Sequence, residues 1–343
     1  MKKSLLLPLL VLAGLLAPLA TVEAANVSPP KLTRSDDRVR VELNGQLFTE
    51  YVFKGAAKPF CYPLLASDGT EMMRHFPMKT DAPGEVKDHP HHRSVWFTHG
   101  AVNGIDFWTE NHLATPGQMK QGRIVNVSVE PSVKGEVGEI RSRNEWVGPD
   151  GTVHLTDETI IRARQLADGS RVLDWEVTLQ APAGKPVVFG DTKEGSMAIR
   201  LPLWMTPPHK QGQHVHDGKG VIVNAEGIRD TALSEKGNAT WGKRSAWVDY
   251  HAPKDGQIYG VAMFDHPTNP RHPTWWHVRS YALFAANPFG KHDFENLKDQ
   301  PQAGDLTIPA GGSETFRWRF YFHTGDEKTS QVAERFKEYA AGK

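Results

Sequence analysis

Arg171-Val172-Leu173-Asp174-Trp175-Glu176-Val177-Thr178-Leu179-Gln180 repeats with a period of two. Leu173, Trp175, Val177 and Leu179 fall on one side, and Asp174, Glu176, Thr178 and Gln180 on the other. A strand turns successive side chains to opposite faces, so the decamer predicts a strand with one buried face. Asp168-Gly169 turns the chain back into the run 152–165. Pro149-Asp150-Gly151 turns that run back into 138–147, which ends at Trp146. Before it, Val125, Val127 and Val129 alternate with polar residues and are expected to face the interior. The same alternation returns at Phe316, Trp318, Phe320 and Phe322, set against Arg317, Arg319, Tyr321 and His323. At the other end, Val39, Val41 and Leu43 lead into Asn44-Gly45 and a return run, Leu47 to Phe53. Asn-Gly between two such runs is a strong hairpin signal, because both residues tolerate positive φ.

Helical spacing appears at Val332, Phe336 and Tyr339, which predicts an amphipathic helix over 328–340. Many strands with so little helix imply stacked antiparallel sheets. The fold class is therefore all-β: a large β-sandwich with a C-terminal helix. No fixed-length repeat points to a propeller.

Forty Lys and Arg balance forty Asp and Glu in the 343 residues. A neutral chain lacks the electrostatic footprint of a nucleic-acid or anionic-membrane partner. Cys61 is the sole cysteine, so no intrachain disulfide can form; its apolar surroundings, Pro59 to Pro63, predict a buried small hydrophobe. Lys2 and Lys3 precede an apolar run, Leu5 to Leu19, broken by Pro8, Gly14 and Pro18 and ending Val22-Glu23-Ala24. This pattern predicts a secretory signal peptide over 1–24, cleaved after Ala24. A membrane anchor would need about 20 apolar residues without such breakers. The protein is expected to be exported, periplasmic or extracellular, with 25–343 as one β-sandwich domain.

Three polar segments fit the strand pattern poorly, and such segments often carry function. The first is Asp88-His89-Pro90-His91-His92-Arg93, followed by Trp96, His99, Asn103-Gly104, Asp106 and Trp108. Imidazole serves metal binding or proton transfer near neutral pH. His89, His91 and His92 could hold a divalent metal, yet no standard ligand spacing such as HExxH occurs. They could equally bond to backbone groups, or serve acid–base or sugar contacts without metal. No cofactor is predicted. The second segment is Asp191-Thr192-Lys193-Glu194-Gly195. It reads as a surface turn, or as a Glu base beside an orienting Lys. The third, His266 to Gly290, contains Asn269, Trp275, Trp276, His277, Arg279, Tyr281 and Asn287. In a strand, Trp275, His277 and Arg279 share one face, with Trp276 and Val278 opposite. Either both Trp are core, or the aromatic, imidazole and guanidinium suit a sugar. Trp247 and Asp249 are expected as strand positions near the same region.

These segments, in order, resemble a bacterial family of unknown function labelled methane oxygenase PmoA. The likeness rests on His89-Pro-His-His-Arg93, Asn103-Gly-Ile-Asp-Phe-Trp108, Asp191-Thr-Lys-Glu-Gly195, His266-Pro-Thr-Asn-Pro270, Trp276-His-Val-Arg279 and Asn287-Pro-Phe-Gly290. It covers roughly residues 36 to 325; Ser280 before Tyr281-Ala282 departs from the Tyr-Gly expected there. The resemblance implies a secreted, carbohydrate-related protein and supplies no catalytic residues. By analogy, the sandwich is expected to be of the galactose-mutarotase type.

The expected function is an exported carbohydrate-active enzyme of epimerase, lyase or hydrolase type, acting on a sugar or oligosaccharide. Glu194 would take a proton, and His277 or His92 would give one. Arg279 and Lys193 would hold developing negative charge. Lys193, Asn103, Trp108, Asn269, Trp275 and Asn287 would contact substrate, with Asp106 or Glu110 as a possible second carboxylate. The alternatives are a non-catalytic sugar-binding protein and a metal-dependent lyase or oxygenase built on His89, His91 and His92. No partner nucleic acid is expected, and no membrane once the leader is cut.

Overall fold

A computed structural model describes residues 28–110, 119–211, 214–232 and 239–342. The expected leader lies outside the described residues. In chain order the strands are β1 (Lys31–Arg34), β2 (Arg38–Leu43), β3 (Gln46–Val52), β4 (Phe60–Leu64), β5 (Val95–His99), β6 (Arg123–Lys134), β7 (Val137–Val147), β8 (Val153–Gln165), β9 (Arg171–Gln180), β10 (Val187–Phe189) and β11 (Gly195–Arg200). They continue as β12 (His209–Gln211), β13 (His214–His216), β14 (Val221–Asn224), β15 (Arg229–Asp230), β16 (Trp247–Lys254), β17 (Gln257–Asp265), β18 (Trp275–Val278), β19 (Leu283–Asn287), β20 (Leu306–Ile308) and β21 (Ser313–Thr324). Two helices follow the same order, α1 (Lys291–Phe294) and α2 (Val332–Ala340).

The fold is all-β, as the alternation predicts. An eight-stranded sheet runs β1-β2-β3-β4-β5-β11-β19-β18, and a nine-stranded sheet runs β15-β14-β16-β17-β21-β9-β8-β7-β6. Pairings within both are antiparallel. The sheets share one apolar core. Leu173, Trp175, Val177 and Leu179 enter it from β9, Phe316 to Phe322 from β21, and Val39, Val41 and Leu43 from β2. Cys61 is buried in it as a free thiol. The hairpin at Asn44-Gly45 forms as expected, with φ of 52° and 76°.

Two expectations need correction. Val125 and Val127 are 38% and 60% exposed, whereas Ile124 and Val129 are buried. The register of β6 on β7 shifts between Asn126 and Ser128, and such an irregularity re-aims the alternation beyond it. The C-terminal helix is shorter than expected. It starts at Val332, because Gln331 sits at φ 57° and the chain before it is a turn. α2 nonetheless lays Val332, Phe336 and Tyr339 against the outer face of the nine-stranded sheet, beside Val172, Ala262, Phe264 and Tyr321.

The eight-stranded sheet also has an occupied outer face. Trp96, Ala198, Leu283 and Ala285 join Phe60 and Trp108 in a second apolar cluster there. Their strand neighbours Val95, Phe97, Met197, Ile199, Phe284 and Ala286 point into the core. One row of paired residues crosses this outer face: Phe60, Trp96, Ala198, Ala285, His277. Trp96 and His277 thus stand three strand spacings apart, about 14 Å. Between them the floor is only methyl-deep, and the polar loops descend onto it.

Candidate functional site

His277 and Trp275 face outward from β18, while Trp276 and Val278 enter the core, as period two requires. The His277 Nδ1–H donates to the Lys193 carbonyl at 2.8 Å; a carbonyl can only accept, which fixes the tautomer. Nε2 is then a bare lone pair, buried and without a hydrogen-bond partner. Burial first, and the Arg279 guanidinium second, press the His277 pKa down to about 3. At neutral pH His277 is therefore an acceptor, which reverses the expectation that it gives a proton.

The same bond sets Glu194 next to His277. The 191–195 segment is tied down residue by residue. Asp191 accepts from the His292 amide, and Thr192 O from Asn287 Nδ2 at 2.9 Å. The Lys193 amide donates to Asp293 Oδ2 at 2.9 Å, and the Gly100 amide to Glu194 O at 2.7 Å. A Cβ on Gly100 would lie 2.8 Å from the Glu194 Cβ, so the close approach requires glycine there. The Glu194 side chain stays 37% exposed and meets Lys193 Nζ at 3.4 Å.

The histidine loop covers the alanine floor. Tyr281, His89, His92 and Trp96 form one column of stacked rings, with successive centroids 5.5, 4.7 and 5.4 Å apart. Ala198 and Ala285 leave room for it. His91 meets His92 edge-on, and Trp108 walls the base against both rings and Trp96. Arg200 Nη1 donates to His92 Nδ1 at 2.9 Å, so His92 carries its proton on Nε2. Burial and the Arg200 charge hold His92 neutral, well below its ordinary pKa. It is a hydrogen-bond donor and not a store of an extra proton. Stacked rings keep their nitrogens in parallel planes, so His89 and His92 do not aim at one point as metal ligands do.

Charge behind this column is uneven. Arg74 and Arg200 share the single carboxylate of Asp88, at 2.5 and 3.2 Å. Burial alone would raise the Asp88 carboxyl; the His89 bond and the two guanidiniums overcome it and hold it well below the usual range. Farther along the same face, Lys58 and Arg93 share Glu110, at 2.5 and 2.9 Å. Arg279 has no carboxylate among the described residues. Its guanidinium carbon lies 5.7 Å from the Trp241 ring centre and 6.0 Å from that of Tyr281.

Of the expected site residues, Glu194, Lys193, His277 and Arg279 lie together, with His89, His92 and the buried His91 on the facing loop. Asn287 supports them from beneath by holding Thr192. Trp108 is a buried wall. Trp275 sits at the sheet edge, its indole N–H on Glu295 at 3.1 Å. Asn103 and Asn269 lie elsewhere. Asn103 locks a turn onto Val188 at 2.8 Å, and Asn269 clasps Asp265 and the Arg317 backbone at 2.7 Å. His266 and His272 lie on the far side of the molecule, beside Tyr339 and Phe336 of α2, while Arg271 between them turns back to the carbonyls of Pro288 and Asp305. Asp249 is also there, bonded to His251 and His323, which corrects its expected placement. Asp106 caps the amides of Trp108 and Thr109, and Glu110 is locked by two cations, so neither offers a second catalytic carboxylate. Arg200, Arg74 and Trp241 were not anticipated. Arg200 did leave a trace, as the one charged residue of β11.

A family model described as a family of unknown function, DUF6807, matches residues 38–337. The chain belongs to that family. The match takes in every residue of the DUF6807 site just described. No match was found among curated proteins. Among solved structures the DUF6807 chain is similar to the crystal structure of 4-alpha-glucanotransferase from Thermococcus litoralis, at 12% identity and a TM-score of 0.29. That match covers 86% of this chain and 39% of the other, so the chain spans well under half of that structure's length.

Proposed function

We propose that the chain is a carbohydrate-active enzyme performing acid–base chemistry on a sugar seated over the outer face of the eight-stranded sheet. The observation that carries this reading is the bare, buried Nε2 of His277, whose ring is held by the backbone of Lys193, the residue before the half-exposed Glu194. A buried acceptor without a partner is costly, and a sugar hydroxyl is a donor of the right size and neutrality to fill it. Trp241, which stands outside the stacked column, supplies a ring for the apolar face of a pyranose, and the column stiffens the facing wall.

In this scheme Glu194 accepts the proton. Tyr281 donates one, because burial raises its phenol above the ordinary value and it stays protonated at neutral pH, the nearby Arg279 and Arg200 notwithstanding. His277 and the Nε2–H of His92 orient hydroxyls. With Asp106 and Glu110 committed elsewhere, a two-carboxylate hydrolysis lacks its second group among the described residues, which favours an epimerase or lyase. The sandwich is proposed to be of the galactose-mutarotase type, on the strength of its two large antiparallel sheets. The His89–His92 loop supports ring stacking better than a metal, so the metal-dependent reading ranks behind.

The experiment is turnover on a panel of oligosaccharides and oxidised sugars by wild type, Glu194→Gln and His277→Ala. Glu194→Gln should lower turnover about 100-fold or more. Undiminished turnover in both variants would remove the mechanism. Calorimetric binding without any turnover would leave a sugar-binding protein.

A further inference from the structure

The outer face of the eight-stranded sheet concentrates cations in a chain whose total charge is zero. Asp88 serves two guanidiniums, Arg74 and Arg200, and Glu110 serves Lys58 and Arg93. Glu85, the other acid near Arg74, spends its carboxylate on the amides of His75 and Phe76 at 2.8 Å. Glu194 is already met by Lys193. That leaves Arg279 as a cation set against two aromatic rings, its Nε buried and without a hydrogen-bond partner among the described residues. An unbalanced guanidinium in a partly desolvated place is unfavourable unless something anionic completes it.

From this we infer that the sugar taken by the site carries a carboxylate, as in a uronic acid, and that Arg279 receives it. The inference rests on the carbohydrate reading above and narrows it. The planar guanidinium fork matches a carboxylate in a two-point contact, and the two rings beside it limit its access to water. His277 Nε2, whose imidazole feels the Arg279 charge, then accepts from a hydroxyl of the same sugar. Pairing a carboxylate with a cation also makes the neighbouring C–H more acidic, which is the proton a lyase or C5-epimerase base removes.

The test is titration calorimetry of wild type, Arg279→Gln and Arg279→Lys with three oligosaccharide sets of matched length: neutral, uronate-containing and sulfated. Wild type should bind a uronate set at least about tenfold more tightly than the neutral one, with added salt shrinking the gap. Arg279→Gln should abolish the gap, and Arg279→Lys should keep only part of it. Equal binding of neutral and uronate sugars by wild type would overturn the carboxylate assignment and leave the carbohydrate reading standing. So would a preference for the sulfated set. Failure of all three sets to bind would overturn the carbohydrate reading itself. The wild-type comparison stands even where a variant fails to fold.

Discussion

Glu110 is one carboxylate between two cations that have almost no water, since the Lys58 side chain is fully buried and Glu110 nearly so. Burial pulls the Lys58 pKa down, and its bond to Glu110 opposes that. Removing the carboxylate leaves both cations uncompensated, and breaking a buried pair in this way typically costs about 3–5 kcal/mol. Glu110→Gln should therefore lower the denaturation midpoint strongly. Glu158→Gln, on an exposed pair with Arg141, should cost below about 1 kcal/mol. Similar midpoints for the two variants would refute the ranking. At this scale the sequence separated residue types suited to a site from the core better than it placed them. His277 was readable, because alternation alone puts it opposite Trp276. Asn103 and Asn269 were not, since a polar side chain that satisfies a turn and one that meets a ligand look alike in a sequence. Trp241 gave no signal, because its role depends on a loop reaching Arg279 from a distant part of the chain.

At the scale of elements, the C-terminal segment is held over the nine-stranded sheet by a buried network. Asp249 bonds His251 Nδ1 at 2.7 Å and His323 Nε2 at 2.8 Å. His251 Nε2 faces Glu327 at 3.8 Å, and Glu327 also pairs with Arg229. Burial lowers the His251 pKa, but its bond to Asp249, with Glu327 and Asp326 nearby, raises it further, so it ends above its ordinary value. Asp249 would be raised by burial, yet the two imidazoles bring it down to about 2. The signs follow from linkage. The His251 contribution is complete below its unfolded pKa of about 6.5 and fades as pH rises through the higher folded value. The Asp249 contribution is present above about 4 and is lost as pH falls toward the folded value. Thermal stability of wild type should thus fall relative to His251→Gln as pH rises from about 6 to about 9. Parallel curves for the two proteins would argue against the network. Strand β9 was legible to the residue because nothing interrupts its alternation. β6 was misjudged because a register shift leaves no mark in composition, and α2 because a left-handed residue before a helix resembles a helical one in sequence.

For the whole molecule, the period of two was enough to imply stacked sheets, since strands with one apolar face must cover it with another layer. It could not show that the candidate site would lie on the side of a sheet turned away from the shared interior, because both faces of that sheet are apolar there. Among the described residues no helix is long and apolar enough to cross a membrane. We propose that the chain is exported and cut after Ala24. Protein recovered from the periplasm or medium should then begin at Ala25 by N-terminal sequencing, and an intact leader would contradict this. Finally, the floor made by Ala198 and Ala285 separates two demands that most binding clefts must reconcile. Their methyl groups face the ring column while their strand neighbours pack inward. A larger side chain at either position would press on the ring column above it and leave the interior closed. A laboratory selection confined to them would be an economical way to retune how the histidine loop seats while the shared interior stays as it is.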